Sequence, residues 1–246
     1  MNAPEATASL ETVASLDTVF APVQSQTAFE ETVDRLGTAI RLGLLPPGTR
    51  LPAERDLCGK LGIARSTLRQ ALVALAQSGH LRATRGRGGG TFVADPLPPT
   101  RPPGRGLLMR WREVCDERLA VEVGVAMLAA ERATQEDLAR LEGLVAELDG
   151  SLEDFAAYRA LDVRWHVGLA EAARSPGLVS ATTEVQGQMT VLISHIAHPP
   201  EVLDSANDQH RHVLAAVARG DEPGAARAMA EHLRGTEHVL AGLLPG

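Results

Sequence analysis

A chain of 246 residues that is 44% hydrophobic is long enough for two modest domains and can bury a sizeable core in each. Aromatics make up only 3%, so those cores must be built from Ala, Leu and Val, a composition that leans towards helix. The formal net charge of −7 argues at first against a nucleic-acid partner. No apolar run approaches the roughly 20 residues that a membrane span needs. Two unclustered cysteines, Cys58 and Cys115, offer neither a disulfide framework nor a thiolate metal site and fit a reducing cytoplasm.

Residues 1–26 contain acids but no Lys or Arg, so they do not read as a signal peptide; rich in Ser, Thr, Ala and Glu, they read as a mobile tail. Phe29, Val33, Leu36, Ile40 and Leu44 then recur at helical spacing until Pro46-Pro47-Gly48 stops them. A short helix is expected over Glu54 to Leu61, a tight turn at Gly62-Ile63, and a second helix from about Arg65 to Gln77 that ends at Ser78-Gly79. His80 to Thr84 and Thr91 to Val93 read as two strands of a hairpin with a glycine-rich tip. Between Asp95 and Gly106 five prolines forbid helix and favour a stiff connector. Everything beyond reads as helix. The first is expected over Leu107 to Arg132. A second opens on a Thr134/Asp137 capping box and a third on Ser151 with Asp154, running to about Arg174. A fourth covers about Leu178 to Ala197, a fifth about Val202 to Arg219, and a sixth follows Gly220-Asp221 to about Leu243. The expected fold is mostly α: a tail at 1–26, a winged helix-turn-helix at 27–94, a Pro-rich linker at 95–106, and an all-helical domain at 107–246.

Charge is unevenly spread. From Arg50 to Val93 there are eight Arg and Lys against only Glu54 and Asp56, so one basic segment is attached to an acidic body. Two short helices, a turn and a basic hairpin suit a module that reads DNA. Arg65, Ser66, Thr67 and Arg69 occupy the first turn of the second helix, where side chains can reach base edges, and Arg can bond a guanine edge in two places. Leu68, Leu72 and Leu75 fall on the opposite face and would pack the core. Arg85 and Arg87 sit on the glycine-rich tip, which lets backbone approach the sugar-phosphate closely. A phosphate-cradling nucleotide loop is excluded, because no Lys-Ser/Thr follows that tip.

In the helical half, Asp162 and His166 are four apart and share one helix face. His210 and His232 lie mid-length on two later helices among apolar neighbours. A buried histidine is commonly a hydrogen-bonded core residue, and an Asp/His pair at this spacing is often a surface pair, so spacing alone leaves both roles open. As a donor set, three imidazoles and a carboxylate suit Zn, Ni, Mn or Fe better than Ca or Mg, and a helical bundle can converge them. His195 and His198 stand near a helix end and read as surface groups, with His195 a further candidate for lining a pocket. A metal-dependent hydrolase fits poorly, since no general base is evident beside these residues and the basic segment would go unused.

The runs Leu51-Pro-Ala-Glu-Arg-Asp-Leu, Leu61-Gly-Ile-Ala-Arg-Ser-Thr-Leu-Arg-Gln-Ala-Leu, Gly79-His-Leu and Gly88-Gly-Gly-Thr-Phe-Val together resemble the GntR family of bacterial regulators. The resemblance implies that Arg55, Arg65, Ser66, Thr67, Arg69, Arg85 and Gly86 stand where family members contact operator DNA. Ala64 replaces the Ser or Thr that caps the recognition helix in many members, a loss of about 1 kcal/mol. Asp116 to Val123, Leu161 to Leu169, and the region from His210 to His232 resemble the FCD effector domain of the FadR-like branch. That resemblance implies Asp162, His166, His210 and His232 as ligands of a divalent transition metal, with zinc the first candidate. It also implies Arg118 as a partner for an anionic effector, although Arg118 could equally tie Glu122 one turn on. The expectation is a cytoplasmic homodimer that binds an inverted repeat in double-stranded DNA, represses transcription, and responds to a small organic acid; no catalysis and no membrane partner are expected.

Overall fold

The computed structural model describes residues 28–86, 88–98, 104–194 and 198–243. The expected tail, Arg87, His195 and residues 99–103 of the Pro-rich linker fall outside them. The described chain is mostly helical, as its composition requires. Helix α1 (Ala28–Arg41), α2 (Glu54–Leu61) and α3 (Arg65–Gln77) precede strands β1 (Leu81–Thr84) and β2 (Gly90–Val93). Seven helices follow: α4 (Arg105–Met109), α5 (Trp111–Arg132), α6 (Gln135–Asp149), α7 (Phe155–Ala172), α8 (Pro176–Ile193), α9 (Pro200–Ala218) and α10 (Glu222–Leu243). No helix among the described residues is long and apolar enough to cross a membrane.

In the N-terminal unit Leu36, Ile40, Leu57, Leu68, Leu72 and Leu75 close one core, to which Leu81 and Val93 add the base of the wing. Gly62, at φ 66°, ends α2 in the left-handed conformation and turns the chain into α3. The wing pairs antiparallel from Leu81 opposite Val93 to Thr84 opposite Gly90. Arg50, counted above as one of the basic residues, braces it: its guanidinium donates to the Gly89 carbonyl (2.6 Å) and lies over the Phe92 ring.

The helical half has its own core, centred on Val125, Leu141, Trp165, Leu169, Val213 and Met229. Helix α6 opens on the expected capping box of Thr134 and Asp137. Three local expectations need correction. The helix expected from Leu107 breaks at Arg110 (φ −110°, ψ 12°), separating α4 from α5, and α4 starts inside the expected linker. Ser151 does not open α7; Asp154 alone caps it, accepting from the Ala157 N–H, while Ser151 donates to the Glu147 carbonyl. His198 is not a surface group: it stacks on Phe155 with ring centroids 3.6 Å apart and bonds the Ile193 carbonyl.

The C-terminal end of α1 is seated on the helical half. Leu42 is buried with Val163 and Val167 of α7. A Cβ at Gly187 of α8 would stand 2.9 Å from Thr38 Cγ2, closer than such carbons approach, so a side chain there would require Thr38 to shift. A Cβ at Gly43 (φ 71°) would lie 3.1 Å from that of Ala160.

Candidate nucleic-acid interface and metal centre

Helix α3 presents the residues that the sequence placed on it. Leu68 and Leu75 are buried, whereas Arg65 and Arg69 leave 69% and 60% of their side chains exposed on the outer face, close to Ser66. Both guanidinium Nε atoms donate to one carboxylate oxygen of Glu54, at 3.2 and 2.9 Å, which leaves their terminal nitrogens out of these two bonds. Glu54 was invisible in this role to sequence reasoning, because the pairs span the whole helix-turn-helix. Thr67 is half-buried, and Arg55, 94% exposed, projects from α2. Arg85 and Gly86 are exposed at the wing tip, where Gly86 and Gly88 take φ of 99° and 88°. A Cβ at Gly89 would lie 2.4 Å from the Thr84 carbonyl oxygen, so the tip itself demands glycine. Ala64, as expected, supplies no side-chain cap to α3.

The second site lies inside the helical bundle. Asp162 and His166 from α7, His210 from α9 and His232 from α10 converge, with one candidate ligand atom of each lying within 4.8 Å of all the others. All four are buried, none more than 7% exposed. Nε2 of His166 is 3.3 Å from Nε2 of His232, and Asp162 Oδ1 is 3.3 Å from His210 Nε2 and 3.7 Å from His166 Nε2. A tetrahedral zinc with bonds of about 2.0–2.1 Å would separate its ligands by roughly 3.3 Å, so the spacing fits.

The outer nitrogens explain why three imidazoles point Nε2 at one centre. His166 Nδ1 is 2.7 Å from Glu122 Oε2, His210 Nδ1 is 3.4 Å from Asn207 Oδ1, and His232 Nδ1 is 3.1 Å from Gln209 Oε1. Each ring therefore has an oxygen behind its Nδ1, a placement that favours the Nδ1–H tautomer and bares Nε2 for a metal, although the His166 contact is not aligned as a hydrogen bond. Asn207 is itself set by donating to the Val145 carbonyl and to Asp149, which leaves only its oxygen for His210. His210 Nε2 is fully buried with no aligned hydrogen bond, an orphan that a metal ion would satisfy.

Two buried arginines flank the cluster. Arg159 is fully engaged: it bonds Asp162, the Thr190 hydroxyl, and both the side-chain and backbone oxygens of Gln186. Arg118 is less committed. Its Nε reaches Glu122 at 3.3 Å, so the expected pair one turn on does form, while a terminal nitrogen stands 3.4 Å from His166 Nε2. Arg118 and Arg159 balance Glu122 and Asp162, so a divalent ion would leave the pocket cationic and receptive to an anion. Beside Arg118, between α5 and α10, lies a recess of about 10 Å³ lined by Cys115, Arg118, Leu119, Leu233, Arg234 and Glu237.

Burial opposes charge on Asp162, but the His210 contact and the Arg159 guanidinium outweigh it and hold the carboxyl well below its usual range. Burial pushes His210 down, against Asp162, and drives His232 well below the ordinary imidazole value, with the crowding of His210, His166 and Arg118 acting the same way. An unfolded chain protonates these rings near pH 6.5 while the folded one resists. Stability of the metal-free protein is therefore present above that pH and lost as pH falls below it. Urea midpoints of stripped protein should be lower at pH 5.5 than at 7.5; equal midpoints would mean that the rings are not held neutral.

The profile of the bacterial regulatory proteins of the gntR family matches residues 29–93, and that of the FCD domain matches residues 113–235. RmpR of Mycobacterium gastri, named as an HTH-type transcriptional regulator, is 34% identical over 82% of this chain and 76% of its own. The chain belongs to the GntR family and carries an FCD domain. A regulatory protein of Escherichia coli K12, named for the L-lactate dehydrogenase operon, is 32% identical over 83% of both chains. The solved structure of E. coli McbR/YncC shares the fold, with a TM-score of 0.56 and 21% identity over 89% of this chain and 99% of that one. As a GntR regulator the protein acts on transcription through DNA and is not an enzyme.

Proposed function

We propose that this GntR regulator is a cytoplasmic homodimeric repressor whose buried centre holds a divalent transition metal, zinc first, and through it senses a small organic acid. Residues 27–94 act as the reading head, 95–106 as the linker and 107–246 as the sensing and dimerising domain. Arg65 and Arg69 read base edges of an inverted repeat, with Ser66 and Thr67 beside them. Arg55, Arg85 and Gly86 meet backbone, and the uncapped N–H groups of α3 remain for a phosphate. Exposed Ala120 and Met127 on the outward face of α5 support pairing with a second copy.

The observation that carries the metal reading is the oxygen acceptor behind each of three imidazoles that face one carboxylate. When bound, the metal supplies an electrophilic point for a carboxylate oxygen. Arg118 stands beside that point to neutralise the acid, and His195 is retained as a further contact. The recess above Arg118 is too small for an organic acid, so binding requires α10 to move from α5. That motion gives the effector a way to shift the reading heads.

The test is a thermal-shift screen of small organic acids, starting with L-lactate because of the E. coli relative, before and after metal stripping. A shift that vanishes on stripping is the expected result. A large loss of stability on stripping, with no acid giving a shift, would make the metal structural and overturn the sensing role.

A further inference from the structure

Glu122 is 1% exposed in the middle of α5 and touches three elements of the centre at once. One oxygen lies 2.7 Å from His166 Nδ1. The other accepts from Gln186 Nε2 at 2.6 Å and from Arg118 Nε at 3.3 Å. Gln186 in turn fixes Arg159, which holds Asp162. One carboxylate therefore meets His166 directly, Asp162 through a chain of three hydrogen bonds, and Arg118 beside it.

Its chemistry differs from that of the other two acceptors. Asn207 and Gln209 are neutral amides, whereas Glu122 is a buried anion. It stands against the Arg118 guanidinium and accepts from the Gln186 amide, partners suited to a carboxylate. The short contact is off the line of the ring N–H, so both atoms lack an aligned hydrogen bond in a fully buried place. An anionic acceptor raises the basicity of the far nitrogen more than an amide does.

We propose that Glu122 is the positioning residue of the metal centre: it selects the Nδ1–H form of His166, makes its Nε2 the strongest of the three imidazole donors, and ties that donor to α8 through Gln186. The proposal rests on the metal reading above. It also makes α8, the helix that meets the reading head at Gly187, the first element to feel a change at His166.

The experiment uses the full-length protein, stripped and then titrated with Zn²⁺ against a chromogenic chelator. Wild type is compared with Glu122→Gln and Asn207→Ala, and the ring nitrogens of ¹⁵N-histidine protein are read by NMR. Wild type should bind one Zn²⁺ per chain, with His166 protonated on Nδ1 before metal is added. Glu122→Gln should weaken Zn²⁺ binding about 10–100-fold and shift His166 towards the Nε2–H form; Asn207→Ala should weaken binding less. Equal affinity in wild type and Glu122→Gln, or an Nε2–H His166 in the wild-type apoprotein, would overturn the proposal, and the second result stands even if the variant fails to fold. Absence of Zn²⁺ binding by wild type is a different result, which would overturn the metal reading itself.

Discussion

His210→Ala should erase the metal-dependent part of the protein's stability. His210 is fully buried, its Nε2 has no aligned partner, and its Nδ1 is already served by Asn207. Binding to the folded state alone adds about 4 kcal/mol when free metal stands about a thousandfold above Kd. For a chain of this size that is roughly 8–16 °C in melting temperature. Melts of wild type with and without Zn²⁺ should differ by an amount of that order, and those of the variant should coincide. A variant that keeps the full metal increment would remove His210 from the ligand set. The Ala substitution also opens a cavity beside Trp165, whose ring centroid is 4.3 Å from that of His210. The comparison must therefore be made within each protein, with and without metal, rather than between the two apoproteins.

Arg65→Ala and Arg69→Ala should each cost about 1–3 kcal/mol on a selected operator, roughly 5–150-fold in affinity, and little on random DNA. Arg85→Ala should instead weaken binding to every sequence and lower the salt slope by about one. The measurement is fluorescence anisotropy on the best sequence recovered from a randomised pool and on a scrambled control, at several salt concentrations. Full specificity in both helix variants would remove α3 from the groove. The shared Glu54 adds a second expectation. Since one carboxylate oxygen accepts from both arginines, removing either frees it for the other, so the double variant should lose an amount different from the sum of the singles.

Much of this was legible in the sequence because it is carried by local rules. Gly62, Ser78-Gly79, the Thr134/Asp137 box and the prolines before α9 punctuate helices through their own backbone chemistry, and the structure follows them. Asp162 and His166 could be placed on one face by spacing alone. The break at Arg110 was hidden, because no glycine or proline marks it; Leu107 and Leu108 instead turn to pack on the cluster around Trp111 and Met189, a tertiary cause. Asn207, Gln209 and Gln186 were hidden for a related reason. A polar side chain on an amphipathic helix reads as a solvated face, and only the packing of α9, α10 and α8 against their neighbours turns each into a partner of the buried centre. The nearest available signal was Asn207, one turn before His210. Nothing local links Gln209 to His232, which is 23 residues away.

The seat of α1 on the helical half bears on how such a chain could be re-engineered or could diverge. Thr38 presses where Gly187 has no side chain, and Gly43 lies against Ala160. A head from another regulator that carries a larger residue at either place would be pushed off α7 and α8. It could still bind its operator, yet it would no longer answer to the bundle beneath it. Chimeras that join this sensor to a foreign head should therefore import Thr38 and Gly43 along with the junction, and substitutions at positions 38 and 187 should be tolerated in pairs rather than singly.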